Sequence, residues 1–349
     1  MRRTVLAVSL VLLLTPAAPA LAHPGHGEHP APPAVTAPAV YGNGWKVLAP
    51  IGRGPRQEHS VTAVGSKVYV LGGIYTADGV TTTTNRVEVY DTRRDTWSEV
   101  APLPVAMNHP NVATVGGRIY VLGGLSGGAS WQALGDSFVY EPRTNHWTAL
   151  PPMPRSLERG SAAIGVRGTK IYLAGGMRTL TPGPGGLQDT VDTVSSYDVI
   201  TRRWATLPTL PEARDHVGGA IVGDVFYVLG GRDRGQVNVR DNVYALDLRR
   251  GKWVERAPMP TPRGGIATAV VGTKIYALGG EGNPAPGSNS VFDDTEAYDT
   301  ARDSWRQLAP MAVPRHGTAA VAVGNTIYIP GGGTAAGARP VDVNDAFRP

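Results

Sequence analysis

The chain has 349 residues, 45 of them glycine and 30 proline, with no cysteine, which excludes disulfides, thiolate metal sites, a cysteine nucleophile and a lipidated cysteine anchor. A hydrophobic fraction of 42% excludes general disorder, and the glycine and proline excess suits many short strands joined by turns. The net charge of +5 favours anionic partners, but the chain lacks the runs of lysine and arginine and the basic–aromatic interleaving that nucleic acid would demand.

The first 22 residues read as a Sec-type signal peptide. Arg2 and Arg3 open it, Val5 to Leu14 form its apolar stretch, and Ala20-Leu21-Ala22 supplies a small-x-small site with cleavage after Ala22. The apolar run is too short to cross a bilayer, so the mature chain is expected to be secreted and to carry no membrane span. Residues 23–40 are rich in histidine, proline and alanine and read as an extended tail or linker. His23, His26 and His29 could bind copper or zinc there, or simply be solvated; no other cofactor is expected.

From residue 41 onward the chain repeats. An apolar strand ending in a glycine pair occurs six times, at Val68 to Gly73, Ile119 to Gly124, Ile171 to Gly176, Phe226 to Gly231, Ile275 to Gly280 and Ile327 to Gly332. A second strand ends in Tyr90-Asp91, Tyr140-Glu141, Tyr197-Asp198, Leu246-Asp247 and Tyr298-Asp299, and six residues after each acidic residue stands Trp97, Trp147, Trp204, Trp253 or Trp305. One tryptophan strand, Trp45 to Leu48, has no repeat before it, and the sixth repeat has no tryptophan strand after it. The first fragment therefore completes the last unit.

Paired glycines, the following Tyr-Asp and the spaced tryptophan, recurring together, resemble the kelch-repeat family over residues 41–349. The resemblance implies an all-β fold, a six-bladed β-propeller of four-stranded blades around a central channel, its ring closed by the N-terminal strand. With strands a to d numbered outward from the channel, the lead-in to strand a and the loop between b and c share one face. The long b–c loops sit on that face, where binding residues tend to be placed.

Arg56, Arg214, Arg263 and Arg315 lie sixteen residues before the first glycine of their pair, and two positions further on come Glu58, His109, His216, Gly265 and Gly317. Assigning two extra residues of the third repeat to its a–b turn puts Arg159 in the second register. The second repeat departs, with Met107 and Asn108 where arginine is expected. In kelch propellers this lead-in lies near the channel mouth, so the resemblance implies that these arginines contact an acidic ligand, with His59, His109, His216 and His316 as neighbours; arginine's fork suits carboxylate and phosphate. The alternative is that each arginine bonds loop carbonyls or a nearby carboxylate inside the protein. Trp131, outside the repeat register in a glycine-rich loop, is a candidate to stack on a sugar ring.

Three functions compete. The first is a binding module for an anionic small molecule, a glycan or a protein partner, favoured by the lack of any Ser-His-Asp order, His-Glu-x-x-His or phosphate loop. The second is a sugar-modifying enzyme, since exported six-repeat kelch proteins include sialic acid epimerases, and Glu58, His109 and His216 have the parts for acid–base work. Galactose oxidase chemistry is excluded, because its cofactor needs a cysteine. The third is a structural or adhesive surface protein without a defined pocket.

Overall fold

Alternation of apolar and polar residues along short runs, with glycine-bounded turns, makes each repeat a meander of four antiparallel strands. In the computed structural model, which describes residues 44–182 and 187–349, blade one is Ser60–Val64, Lys67–Leu71, Val87–Asp91 and Thr96–Glu99, in that order across its sheet. The proposed signal peptide and tail, with His23, His26 and His29, lie outside the described residues. Blades two to five repeat the plan, and strand a of each blade packs beside strand a of the next, around the axis. In blade six, Val321–Val323, Thr326–Pro330 and Asn344–Phe347 are completed by Trp45–Val47, with Trp45 opposite Phe347 and their rings 4.9 Å apart. The ring is closed by its own N-terminal strand, which removes the sheet edge that an open blade would expose.

The repeated residues are explained by contacts between blades. Each of five tryptophans donates its indole N–H to a carbonyl of the blade before it: Trp45 to Ala309, Trp97 to Ala49, Trp147 to Ala101, Trp253 to Pro208 and Trp305 to Ala257. Tyrosines of strand b meet aromatic rings of strand c in a neighbouring blade, as in Tyr69 with Tyr140 and Tyr227 with Tyr298, pairs worth about 0.5–1.5 kcal/mol each beyond burial. The glycine pair is a site of close approach. Gly72 and Gly73 both have positive φ, a Cβ on Gly72 would collide with the Met107 carbonyl, and Gly73 N–H donates to that same oxygen at 2.8 Å.

The b–c loops are tied to one another. Thr83 Oγ1 donates to Gly127 O at 2.5 Å, Trp131 pairs with Leu180, Arg234 N–H donates to Thr190 Oγ1 and Ala336 N–H to Asn289 O. Gln57 Nε2 donates to Gly337 O and joins blade one to blade six. In blade two, strand b continues through its glycines to Ser126 and strand c starts at Trp131, so the loop is a lengthened hairpin.

The third repeat corrects the sequence reading. Its two extra residues lie between strand d and strand a, where they form the short 3-10 turn Arg155–Leu157, and its a–b turn has the common length. Arg159 therefore belongs to the arginine register, and Ser161 occupies the second one.

Candidate functional site

The arginine register is internal to the blades. Arg56, Arg159, Arg214, Arg263 and Arg315 are each at most 1% exposed. Arg56 pairs with Glu88, Arg263 with Glu296 and Arg315 with Asp345, the last two at 2.9 Å, and each carboxylate is the second residue of its own blade's strand c. Arg159 donates to Leu157 O, Gly175 O, Leu173 O and Ser195 Oγ, and Arg214 to Glu212 and Asn242. In blade two Met107 replaces the arginine and Phe138 the acid, and both lie in one apolar cluster. None of the five arginines lines the channel. The expectation from the sequence that they hold an acidic ligand is corrected by these contacts, since four of the guanidiniums are paired with a carboxylate, Arg159 is spent on carbonyls and a hydroxyl, and all five are turned into their own blades.

Two residues further on, the register turns to the axis. Glu58, His109, Ser161, His216, Gly265 and Gly317 all have φ between 47° and 59°. The left-handed backbone is required by a ring of hydrogen bonds around the channel. Glu58 N–H donates to Gly317 O, His109 to Glu58 O, Ser161 to His109 O, Gly265 to His216 O and Gly317 to Gly265 O; His216 N–H completes the circuit on Ser161 Oγ. Glycine fits such a position without strain, and blades five and six use it. A Cβ at Gly317 would lie 2.6 Å from the Glu58 carboxylate, so these glycines also leave room for the side chains of the other blades.

Those side chains converge. His109 Nε2 lies 2.7 Å from Glu58 Oε2 and 2.9 Å from His216 Nε2. His216 Nδ1 donates to Asp215 Oδ1 at 2.7 Å, which leaves its Nε2 to accept from Arg232 Nη2 at 3.0 Å. Arg232 is clamped between Asp215 Oδ1, at 3.0 Å from its Nε, and Glu281. Asn108 Nδ2 donates to Thr83 Oγ1, which itself donates to Gly127 O, so Asn108 presents its oxygen to His109 Nδ1 at 2.8 Å. His109 Nδ1 is thereby a donor. His316 Nε2 stands 3.8 Å from Glu58 Oε1 and 3.6 Å from Glu281 Oε2.

Burial by itself would raise the Glu58 carboxyl, yet His109, His216 and His316 hold it well below the usual carboxylate range. Burial and the adjacent Arg232 lower His216, against the pull of Asp215. Asp215 is likewise held down against its burial by His216 and Arg232. Burial, with Arg56 beside it, lowers His59 to about 3; this ring bonds Pro330 O and Thr318 and fills an interface between blades.

The trio sits at the loop-side end of an axial channel of about 570 Å³, which runs past the hydroxyls of Ser60, Thr62, Thr114 and Thr268 and the small apolar side chains of the six innermost strands. Of the residues expected to bind a ligand, Glu58, His109 and His216 line this channel. Asn108 stands behind His109 and supports it. Trp131 is half-buried with its ring 4.8 Å from that of His109, on the b–c loop and outside the channel wall.

Asp215, Arg232 and Glu281 escaped the sequence reading. A signal was present: the residue after each glycine pair is Ile74, Leu125 and Met177 in three blades but Arg232 and Glu281 in two others. This residue pairs with the one just before the ring position, as Arg232 does with Asp215.

Comparison with known proteins agrees with this architecture. The sequence profile of the KLHDC2/KLHL20/DRC7 Kelch-repeats domain matches residues 42–176 and 183–333. The chain belongs to the kelch-repeat family. Kelch-like protein terF of Aspergillus terreus is 45% identical over 298 residues, covering 84% of this chain and 65% of that protein. Kelch-like protein 25 of Xenopus tropicalis is 30% identical over 183 residues, 51% of this chain and 29% of that one. The chain thus spans less than two thirds of the length of these curated relatives. The structure of YjhT superposes with a TM-score of 0.69 at 18% identity, covering 85% of this chain and 95% of that one, a likeness of fold.

Proposed function

We propose that this kelch propeller binds a small polar molecule, a neutral sugar or polyol, in its axial channel, with Glu58, His109 and His216 as the groups that meet it. One observation carries the reading. Three blades hold bulky ionisable side chains in a left-handed backbone where two others use glycine, and conformations of this kind cost about 1–3 kcal/mol each and cluster at ligand sites. Hydroxyls along the channel wall suit the hydroxyls of a sugar. The anionic ligand expected from the arginines loses its support, because those arginines are paired within the blades.

The test is a thermal-shift screen of the full chain against neutral sugars, polyols and acidic sugars. Binding to the folded state raises the melting temperature by mass action. A neutral sugar that raises it in the parent and fails to do so in Glu58→Gln supports the reading. No shift with any neutral sugar or polyol, or a shift that Glu58→Gln leaves intact, overturns it.

A second reading, modification of that sugar, is favoured by the position of His109 Nε2 between Glu58 and His216, 2.7 Å from one and 2.9 Å from the other, where groups able to take and give a proton stand together. Incorporation of deuterium from heavy water into a bound sugar, followed by NMR, supports it. A sugar that binds and never exchanges leaves binding as the whole function.

A further inference from the structure

We infer that Glu58, His109 and His216 form a site for one divalent transition-metal ion, held by the glutamate Oε2 and by Nε2 of both histidines. The three atoms lie within 4.8 Å of one another and come from three blades, brought together by the hydrogen-bonded ring. Both imidazoles turn Nε2 to the same point because their Nδ1 protons are already committed, His216 to Asp215 and His109 to Asn108, whose amide is fixed in turn by Thr83. Metal-binding histidines are oriented in this way by an acceptor on the opposite nitrogen, which fixes the tautomer and strengthens the ligand. Two imidazoles and one carboxylate suit zinc, cobalt or iron in the divalent state, and leave a coordination position for water or substrate.

Charge points the same way. Glu58, Asp215 and Glu281 face a single guanidinium, Arg232, so with neutral imidazoles the buried cluster carries two negative charges. A buried charge needs a partner, and one divalent cation balances two. Ligand atoms around a tetrahedral ion at about 2.0–2.2 Å stand about 3.3 Å apart, so His109 Nε2, at 2.7 Å from Glu58 and 2.9 Å from His216, draws back from each by about half an ångström on binding. Arg232 Nη2 gives up its contact with His216 Nε2, while its Nε and Nη1 stay on Asp215 and Glu281.

The experiment is a titration of the chelator-treated full chain carrying His23→Ala, His26→Ala and His29→Ala, which silences the histidine tract as a competing site. Cobalt(II) and zinc(II) are titrated separately by calorimetry, cobalt also by visible absorption, without any sugar present. The outcome is therefore independent of the sugar reading. One ion per chain is expected, with the visible bands of a four- or five-coordinate cobalt. His216→Ala and Glu58→Gln abolish it, and Asp215→Asn and Asn108→Ala weaken it about 10- to 100-fold. Glu58→Gln preserves shape, so it decides the matter if His216→Ala does not fold, with circular dichroism as the control. No stoichiometric binding, or binding that Glu58→Gln leaves unchanged, overturns the inference and leaves the trio as a proton-sharing cluster.

Discussion

Two rings of side chains lie two residues apart along the lead-in to strand a, and they solve opposite problems. In the arginine ring each guanidinium is satisfied within its own blade, Arg263 by Glu296, Arg315 by Asp345 and Arg159 by carbonyls and Ser195. At the axial ring, side chains from different blades meet, and with the flanking Asp215, Arg232, Glu281 and His316 three carboxylates share one guanidinium and three imidazoles. The first ring repeats nearly unchanged because every blade must pack alike. The second reads Glu58, His109, Ser161, His216, Gly265, Gly317, and only its backbone conformation is common. In a repeat protein, what recurs maintains the fold, and what varies at a recurring position is free to serve a ligand.

The largest effect is expected from breaking the first ring. Glu296→Ala strands the Arg263 guanidinium in a site with no exposure, and losing one partner of a buried pair costs about 3–5 kcal/mol. Blade two shows the apolar alternative in Met107 and Phe138. The double change Arg263→Met with Glu296→Phe should therefore recover more than half of the single-mutant loss, read from denaturant midpoints. Equal losses in the single and double variants would mean that the pair is not a self-contained unit.

Met107 in place of the arginine was visible in the sequence, as were the six repeats, the closing strand and the register containing Glu58, His109 and His216; Phe138 in place of the acid was not. The fold was legible because glycine pairs and tryptophans mark contacts made in nearly every blade. The role of the arginines was not, because their recurrence does not reveal that strand c of the same blade carries an acid such as Glu88 to them. Arg159 was misplaced because an insertion before strand a was assigned to the turn after it. Asp215, Arg232 and Glu281 were hidden because their pairing spans the width of a blade hairpin and, for Arg232 with Glu281, the gap between blades.

A smaller effect separates the backbone of the axial ring from its side chains. Gly317 has a φ of 59°, and a Cβ there meets both oxygens of Glu58 within 3 Å. Gly317→Ala should cost about 1–2 kcal/mol from the left-handed conformation alone. It should also displace the Glu58 carboxylate and so weaken cobalt binding. Gly324→Ala, a glycine with a φ of 60° and no atom within 4 Å of its Cβ, should show the stability loss and leave cobalt binding at the parent value. Equal effects on cobalt binding would mean that Glu58 is not held by the space Gly317 leaves.

The smallest effect on stability is expected at the residue most important to the proposed site. His216→Gly gives up the Nδ1 bond to Asp215 and the Nε2 contact with Arg232, but it also relieves a left-handed residue at φ 50° in a ring where Gly265 and Gly317 already occupy equivalent places. Asp215 keeps Arg232, Thr190 and Gln188 as partners, so no charge is stranded. The two contributions are of similar size, about 1–2 kcal/mol each, and the net change should fall within about 1 kcal/mol of the parent. Metal and ligand binding should be lost. A loss as large as that of Glu296→Ala would place His216 with the arginines, as part of what holds the propeller together, and the contrast between the two rings would fail at its central residue.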